Sequence, residues 1–322
     1  MLKTKRMKKR ILSLILILLL SGINSKLSAQ QQNFTIISKA NDDKSIDMSY
    51  TKEKPGTYTI SLEFSNVENC DKRNYNTEVR GNSGNLYKLR PIDKNKGIGY
   101  SLKYYTVMGE INPKVDSLYR YILPFKNGKK IKIYEAANIG EKYLGQEKAL
   151  NWKSYVVNSD RPDTICSMRK GIVVLIENEY NDTSMEDFQY TSKRNSIVVE
   201  HADGTFAIYK GFKKNGIFVK SGETVYPQTE LGIIEKYDLK GYRLDFSVYY
   251  LSDKYIKENR KKSLKGYKSS YKYVTPYFVT QGGDTTIQSK NEYTTSLNEA
   301  VITQEFSRSE KKKYLKEHPK SK

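Results

Sequence analysis

Two imidazoles, His201 and His318, and two thiols, Cys70 and Cys166, are all that 322 residues offer as nitrogen and sulfur donors of the usual kind. A catalytic zinc needs three protein ligands with N, S or O donors and one position left for water. That water then becomes the nucleophile near neutral pH. No histidine precedes His201, and His318 lies in a Lys-rich tail. A lone histidine such as His201 is either a proton carrier or a hydrogen-bonded residue at a strand end. Among the carboxylates, Glu177, Glu179, Asp182, Glu186 and Asp187 form a run that reads as a solvated loop or as a cation site of the calcium type. Asp160, Asp163 and Asp245 could surround a harder ion, but no spacing argues for it. Trp152, the single tryptophan, with Tyr155 could stack on a sugar ring in a cleft or anchor a core. Arg243 and Asp245 flank Leu244, so in a strand they share a face and pair with each other or with a cross-strand neighbour.

The elements that must position these residues are mostly strands. Tyr58, Ile60, Leu62 and Phe64 alternate with Thr59, Ser61 and Glu63, a period of two. Pro55-Gly56 marks the turn before them. Asn33 to Ser38, Lys44 to Thr51, Leu86 to Leu89 and Gly99 to Met108 read as further strands, and their spacing suggests a β-sandwich over residues 30–118. A second run over 119–252 holds Gly171 to Glu177, Ser196 to His201, Gly204 to Tyr209, Ile217 to Lys220 and Arg243 to Tyr250. Residues 178–195 read as a long loop. Alternation with glycine at the bends predicts an antiparallel sheet with one buried face. Ile197 and Val199 face one way, Val198 and Glu200 the other. Gly171, Gly204, Gly222 and Gly232 serve corners or close approaches. A basic extension, 253–322, is predicted to hold a hairpin, Tyr271 to Val279 with Asp284 to Lys290, and a helix, Phe306 to Lys316. The predicted class is mainly β, with a short α/β extension at the C-terminal end.

Residues 1–29 read as a secretory signal: a cationic head, an apolar run from Ile11 to Leu20, and small residues up to Ala29. The run is about half the roughly twenty residues that a spanning helix needs. Export to a periplasm, cell surface or medium is therefore expected, with no membrane span left after cleavage. Export permits a Cys70–Cys166 disulfide, and the sequence leaves that pairing open. The formal charge is +20, of which +7 belongs to residues 1–29, leaving +13. Such an excess favours anionic envelope surfaces or simply blunts sheet edges; export argues against nucleic acid. Mean hydropathy is −0.70, and Tyr at 27 against Phe at 10 suits sheets whose rings are buried and hydroxyls wet.

Five blocks, in order, resemble the lysostaphin-type (LytM-like) zinc peptidases that cut peptidoglycan cross-bridges. They are Leu123-Pro124-Phe125 with Gly128; Ser154 to Asn158 followed by Pro162 to Val174; the central hairpin Ser196 to Tyr209; Val219 to Pro227 with Leu231-Gly232-Ile233; and Gly241 to Val248. The resemblance implies the fold, the peptide cross-link as ligand, and a zinc held by a His and an Asp of an early strand and the second His of a late His-x-His pair. The first His of that pair and another just after the hairpin Tyr assist catalysis in active members. This chain departs from the pattern at each place. Asn158 stands where the ligand Asp belongs, or Val156 if the turn is counted without a gap. Arg243 and Asp245 stand for the His-x-His pair, Gly211 for the His after Tyr209-Lys210, and His201 matches a frequent His that is not a ligand. A cation beside a unit charge at 4 Å is repelled by roughly 4 kcal/mol at an effective dielectric of 20. The reading is a cleft without zinc or catalytic residues, at Asn158, His201, Gly211, Arg243 and Asp245, with Trp152, Tyr155 and Tyr209 as candidate ligand contacts. No cofactor is expected, zinc returning only if the family activity is retained. The function expected is binding of peptidoglycan, another anionic envelope polymer or a partner envelope hydrolase. An active metalloendopeptidase and a structural or adhesion protein are the alternatives.

Overall fold

The computed structural model describes residues 34–71, 74–137, 150–181, 193–238, 241–253 and 270–317. The expected signal segment, the acidic positions 182–187 and His318 lie outside them.

The N-terminal part is the expected sandwich. Strands β1 (Phe34–Ala40), β2 (Ile46–Lys52) and β5 (Ser83–Leu89) form one antiparallel sheet. Strands β3 (Tyr58–Glu68), β4 (Asn74–Val79) and β6 (Gly99–Met108) form the other. The period of two in β3 sends Ile60, Leu62 and Phe64 inward against Met48, Tyr50 and Leu89 of the facing sheet. Tyr50 does what an economical core asks of tyrosine: its ring stacks on Phe34 at 5.5 Å and its hydroxyl donates to the Gly81 carbonyl.

The remaining strands are β7 (Arg120–Ile122), β8 (Lys130–Glu135), β9 (Tyr155–Ser159), β10 (Thr164–Cys166), β11 (Gly171–Glu177), β12 (Asn195–Glu200), β13 (Phe206–Ile217) and β14 (Thr224–Val225), then β15 (Glu230–Ile234), β16 (Lys236–Asp238), β17 (Gly241–Leu251), β18 (Tyr271–Val274), β19 (Tyr277–Thr280), β20 (Gly283–Thr285) and β21 (Glu292–Thr294). A large sheet runs in the order β14-β11-β12-β13-β17-β9-β8-β21, with β17 near its middle. Its pairs are antiparallel. β7 and β19 pair in parallel in a small sheet beside it. The core lies on one face. Tyr155, Val157, Tyr209, Leu244 and Phe246 point into it and meet Tyr121, Leu123, Ile165, Leu231 and Phe278 from the covering segments.

The opposite face is half covered, which corrects the expectation of a single buried face. All six residues of β12 are buried. Val174, Val198 and Phe206 pack against Met108 of the sandwich, and the Thr57 amide donates to the Glu200 carboxylate at 2.8 Å. Gly109 sits at this seam with φ +108°, and a side chain there would meet the Phe206 ring at 2.9 Å. Only glycine combines that conformation with that approach.

The predicted C-terminal hairpin divides in two. β18 adds to β17, while β19 and β20 make the hairpin near Gly282-Gly283. Pro276 between them has no N–H for a ladder. Two helices follow, α1 (Glu299–Ile302) and α2 (Arg308–Glu317). No helix among the described residues is long and apolar enough to cross a membrane. Cys70 and Cys166 are both buried and unpaired, which closes the question the sequence left open.

Ser307 and Glu310 cap α2 reciprocally: the Ser307 amide donates to the Glu310 carboxylate at 2.7 Å, and the Glu310 amide donates to the Ser307 hydroxyl. The same carboxylate takes bonds from Lys170 and Tyr226, all at 2.8 Å. The Lys170 bond, and next the Ser307 amide, bring the Glu310 carboxyl down to about 2 from an ordinary value of 4.5. A depressed carboxyl stabilises the fold fully above its unfolded value and loses that contribution as pH falls through the folded one. Amide exchange protection in Lys311 to Lys316 should therefore be constant above pH 4.5 and decline towards pH 2. In Glu310→Gln that pH dependence should vanish; an unchanged profile would rule the cap out as its cause.

Candidate binding cleft

Strands β9, β17 and β13 lie side by side, and register brings four of the five expected positions, Asn158, Gly211, Arg243 and Asp245, onto these neighbouring strands. Arg243 stands opposite Asn158, and Asp245 opposite Val156. On its other side Asp245 stands opposite Lys210. Because Leu244 and Phe246 point into the core, Arg243 and Asp245 point to the other face, as their spacing requires. Gly211 adjoins them with φ +116°.

Arg194, which no sequence pattern singles out, organises this group. Its side chain is only 6% exposed. One Nη donates to Asp245 Oδ2. The other donates to the Arg243 carbonyl at 2.6 Å and the Lys210 carbonyl at 3.3 Å. Arg243 Nε takes the second Asp245 oxygen at 2.6 Å. Both guanidiniums stack on the Tyr237 ring, at 4.9 and 4.8 Å. The expected pairing of Arg243 with Asp245 is thus present and is extended by a second arginine. Gly211 is what admits it: a Cβ there would lie 2.2 Å from Arg194 Nη2 and 2.3 Å from the Arg243 carbonyl.

A zinc ion does not fit these residues. The one carboxylate is already held by two guanidiniums, Gly211 has no donor, and an amide such as Asn158 is a poor ligand. Asp163 is taken by Lys129 at 2.8 Å and the Ser159 hydroxyl at 2.7 Å, and Glu177 accepts from Ser196. Among the described residues no three His, Cys, Asp or Glu side chains gather closely enough to hold a metal ion.

The group forms one end of a cleft of about 420 Å³ on the sheet face. Lys210, Arg243 and Asp245 line that end, and Trp152, Tyr249, Tyr271 and Tyr273 line the other. Trp152 is fixed by its Nε1 bond to the Ala136 carbonyl at 2.8 Å and by the Tyr273 ring at 4.7 Å. Tyr249 packs on Tyr271 at 4.9 Å. Burial, with the Tyr271 hydroxyl a lesser cause, pushes the Tyr273 phenol up to about 12, so it stays protonated as a donor.

Three sequence expectations fail here. Tyr155 and Tyr209 are fully buried, because the period that turns Arg243 and Asp245 outward turns these two rings into the core. The Tyr209 hydroxyl accepts the Met168 amide at 3.0 Å; the Tyr155 hydroxyl finds no partner among the described residues. His201 does not join the cleft either. It follows β12, is 3% exposed, and shares a bond between Nδ1 and the Thr205 hydroxyl at 2.9 Å. Burial first, then the Arg169 charge, holds its pKa well below the ordinary value, so the imidazole stays neutral.

The Arg169 side chain, 2% exposed, is a second feature the sequence concealed. It donates to Asp203 at 2.9 Å, Tyr121 at 3.1 Å and Glu305 at 2.6 and 3.1 Å. Its guanidinium lies 3.7 Å from the centre of the Tyr119 ring. The C-terminal segment is thereby tied to the core of the large sheet.

No protein-family model matches the sequence, and no curated protein matches it. Several solved structures are similar in part. One is the SpoIIQ–SpoIIIAH pore-forming complex, at 18% identity over 41% of this chain and 85% of the other, TM-score 0.28. Another is the deep-sea M23 metalloprotease pseudoalterin, at 13% identity over 56% and 97%, TM-score 0.30. A third is a putative M23 peptidase from Pseudomonas aeruginosa, at 12% identity over 61% and 83%, TM-score 0.27.

Proposed function

We propose that this chain is an exported, non-catalytic binding module of the cell envelope, a LytM-like sheet whose cleft holds an anionic envelope polymer, peptidoglycan above all. In this reading residues 1–29 direct export, 30–118 are the sandwich, 119–252 the binding unit and 253–322 its basic extension. The observation that carries the reading is the Arg194–Asp245–Arg243 ion pairing. It fills the place where the resemblance puts a metal and its catalytic histidines. Binding and bond cleavage rely on different groups. A cleft that has exchanged metal donors for guanidiniums keeps a surface for ligand while losing the means to activate water. The +13 charge of the chain after residue 29 supports an anionic partner.

The test uses the full chain after signal removal, with purified peptidoglycan. Metal content is expected below a tenth of an equivalent, no muropeptides are expected to be released, and the chain is expected to sediment with the polymer at physiological salt. One equivalent of tightly held zinc with turnover would establish the endopeptidase reading instead. Failure to sediment would favour a structural role, or a partner envelope enzyme as the true ligand.

A further inference from the structure

We infer that the cleft reads a sugar ring carrying a carboxylate, an inference that rests on the proposed binding role and names the unit recognised. Two observations point to it. The first is the imbalance of charge. Among the described residues, the cleft lining holds one carboxylate, Asp245, with two cations, Arg243 and Lys210, and Arg194 pairs with Asp245 beside it. Asp245 has both oxygens committed to the two arginines. Lys210 lines the cleft, half-buried, and makes no ion pair with any described residue. A partly desolvated ammonium beside an already satisfied carboxylate is a site for an added anion.

The second observation is the aromatic wall at the other end. Trp152 and Tyr273 are in contact, and Tyr249 continues the surface to Tyr271. A pyranose presents a face of C–H groups that packs on such rings, and its hydroxyls bond to protonated phenols. The cleft volume of about 420 Å³ lies within the roughly 300–1,000 Å³ of small-molecule sites.

The floor of the cleft separates a sugar from an acidic peptide. An extended peptide recognised through its backbone needs an open sheet edge. Here β13 is paired with β12 and β17, and β9 with β17 and β8, while β18 is paired with β17 on one side and bridged to Leu150 at Lys272 on the other, so β13, β17 and β9 offer no open edge. Recognition runs through rings and cations, which a carboxylated sugar satisfies together.

Trp152 is the only tryptophan, so the emission of the full chain after signal removal reports on the cleft directly. Three probes are titrated: a galacturonic acid oligomer, the same oligomer as its methyl ester, and hexaglutamate. Saturable change is expected with the first and none with the others. Lys210→Met and Tyr271→Ala should each weaken binding about tenfold, the loss of one charge-assisted bond or one ring contact, with unchanged thermal unfolding. A response to hexaglutamate equal to that of the sugar acid overturns the inference, as does wild-type affinity in both variants. Sedimentation with peptidoglycan but silence towards the sugar acid also overturns it and leaves the proposed function standing. Silence in both assays removes both.

Discussion

Replacing Arg169 by methionine should destabilise the fold by about 3–5 kcal/mol, the cost of stranding buried charge by removing its partner. The side chain is 2% exposed, and the carboxylates it serves, Asp203 and Glu305, are themselves only 9% and 16% exposed. Without the guanidinium neither has a cation within bonding distance among the described residues, and the Tyr121 hydroxyl loses a donor. Methionine fills part of the volume over Tyr119, so the effect is one of charge more than of a void. The midpoint of thermal unfolding should fall by roughly 10 °C, at about 2–4 °C per kcal/mol for chains of this size class. Glu305→Gln keeps an acceptor and removes one charge, and should cost markedly less. Equal stability of Arg169→Met and the parent would show that the cluster contributes nothing net, as buried ion networks sometimes do.

Gly211→His, which would restore the assisting histidine that the resemblance implies, should cost at least about 3 kcal/mol. Glycine is the residue for φ +116°, and another residue there is strained by about 1–3 kcal/mol. Its Cβ would overlap both Arg194 and the Arg243 carbonyl. Arg194 would have to leave, which breaks a largely buried ion pair and strands Asp245 beside Arg243 alone. Adding Asn158→Asp and Arg243→His removes one cation, but it supplies neither the early-strand His nor the late ligand His at position 245, and it makes no room at position 211. Soluble yield and bound zinc by mass spectrometry decide the matter. A folded triple variant carrying one zinc would show that the arginine pairing does not keep a metal out of the cleft.

What the sequence made legible follows from how each element signals. β3 alternates cleanly because one face meets a core, and β6 and β11 have their expected bounds. β4 escaped notice since NYNTEV is an exposed edge strand with no apolar alternation. β13 was read as two pieces because Gly211 and Lys213-Lys214 interrupt the pattern. The strand instead continues to Ile217 through register shifts. Asn158, Gly211, Arg243 and Asp245 stand at positions a resemblance marks; of the four, Arg243 and Asp245 line the cleft. Arg194 and Arg169 are marked by no pattern, since an arginine in a polar run or beside a turn looks solvated until tertiary packing closes over it. Tyr155 and Tyr209 show the opposite error. Their side chains suit a ligand site, yet the parity that exposes Arg243 and Asp245 should have assigned both rings to the interior.

The two lone thiols carry one further consequence. Cys70 sits within the sandwich core, and burial raises the Cys166 thiol to about 12, so Cys166 offers little thiolate for exchange. No crosslink has to form for the fold to be complete. Packing, hydrogen bonds and ion pairs hold the fold together without a disulfide.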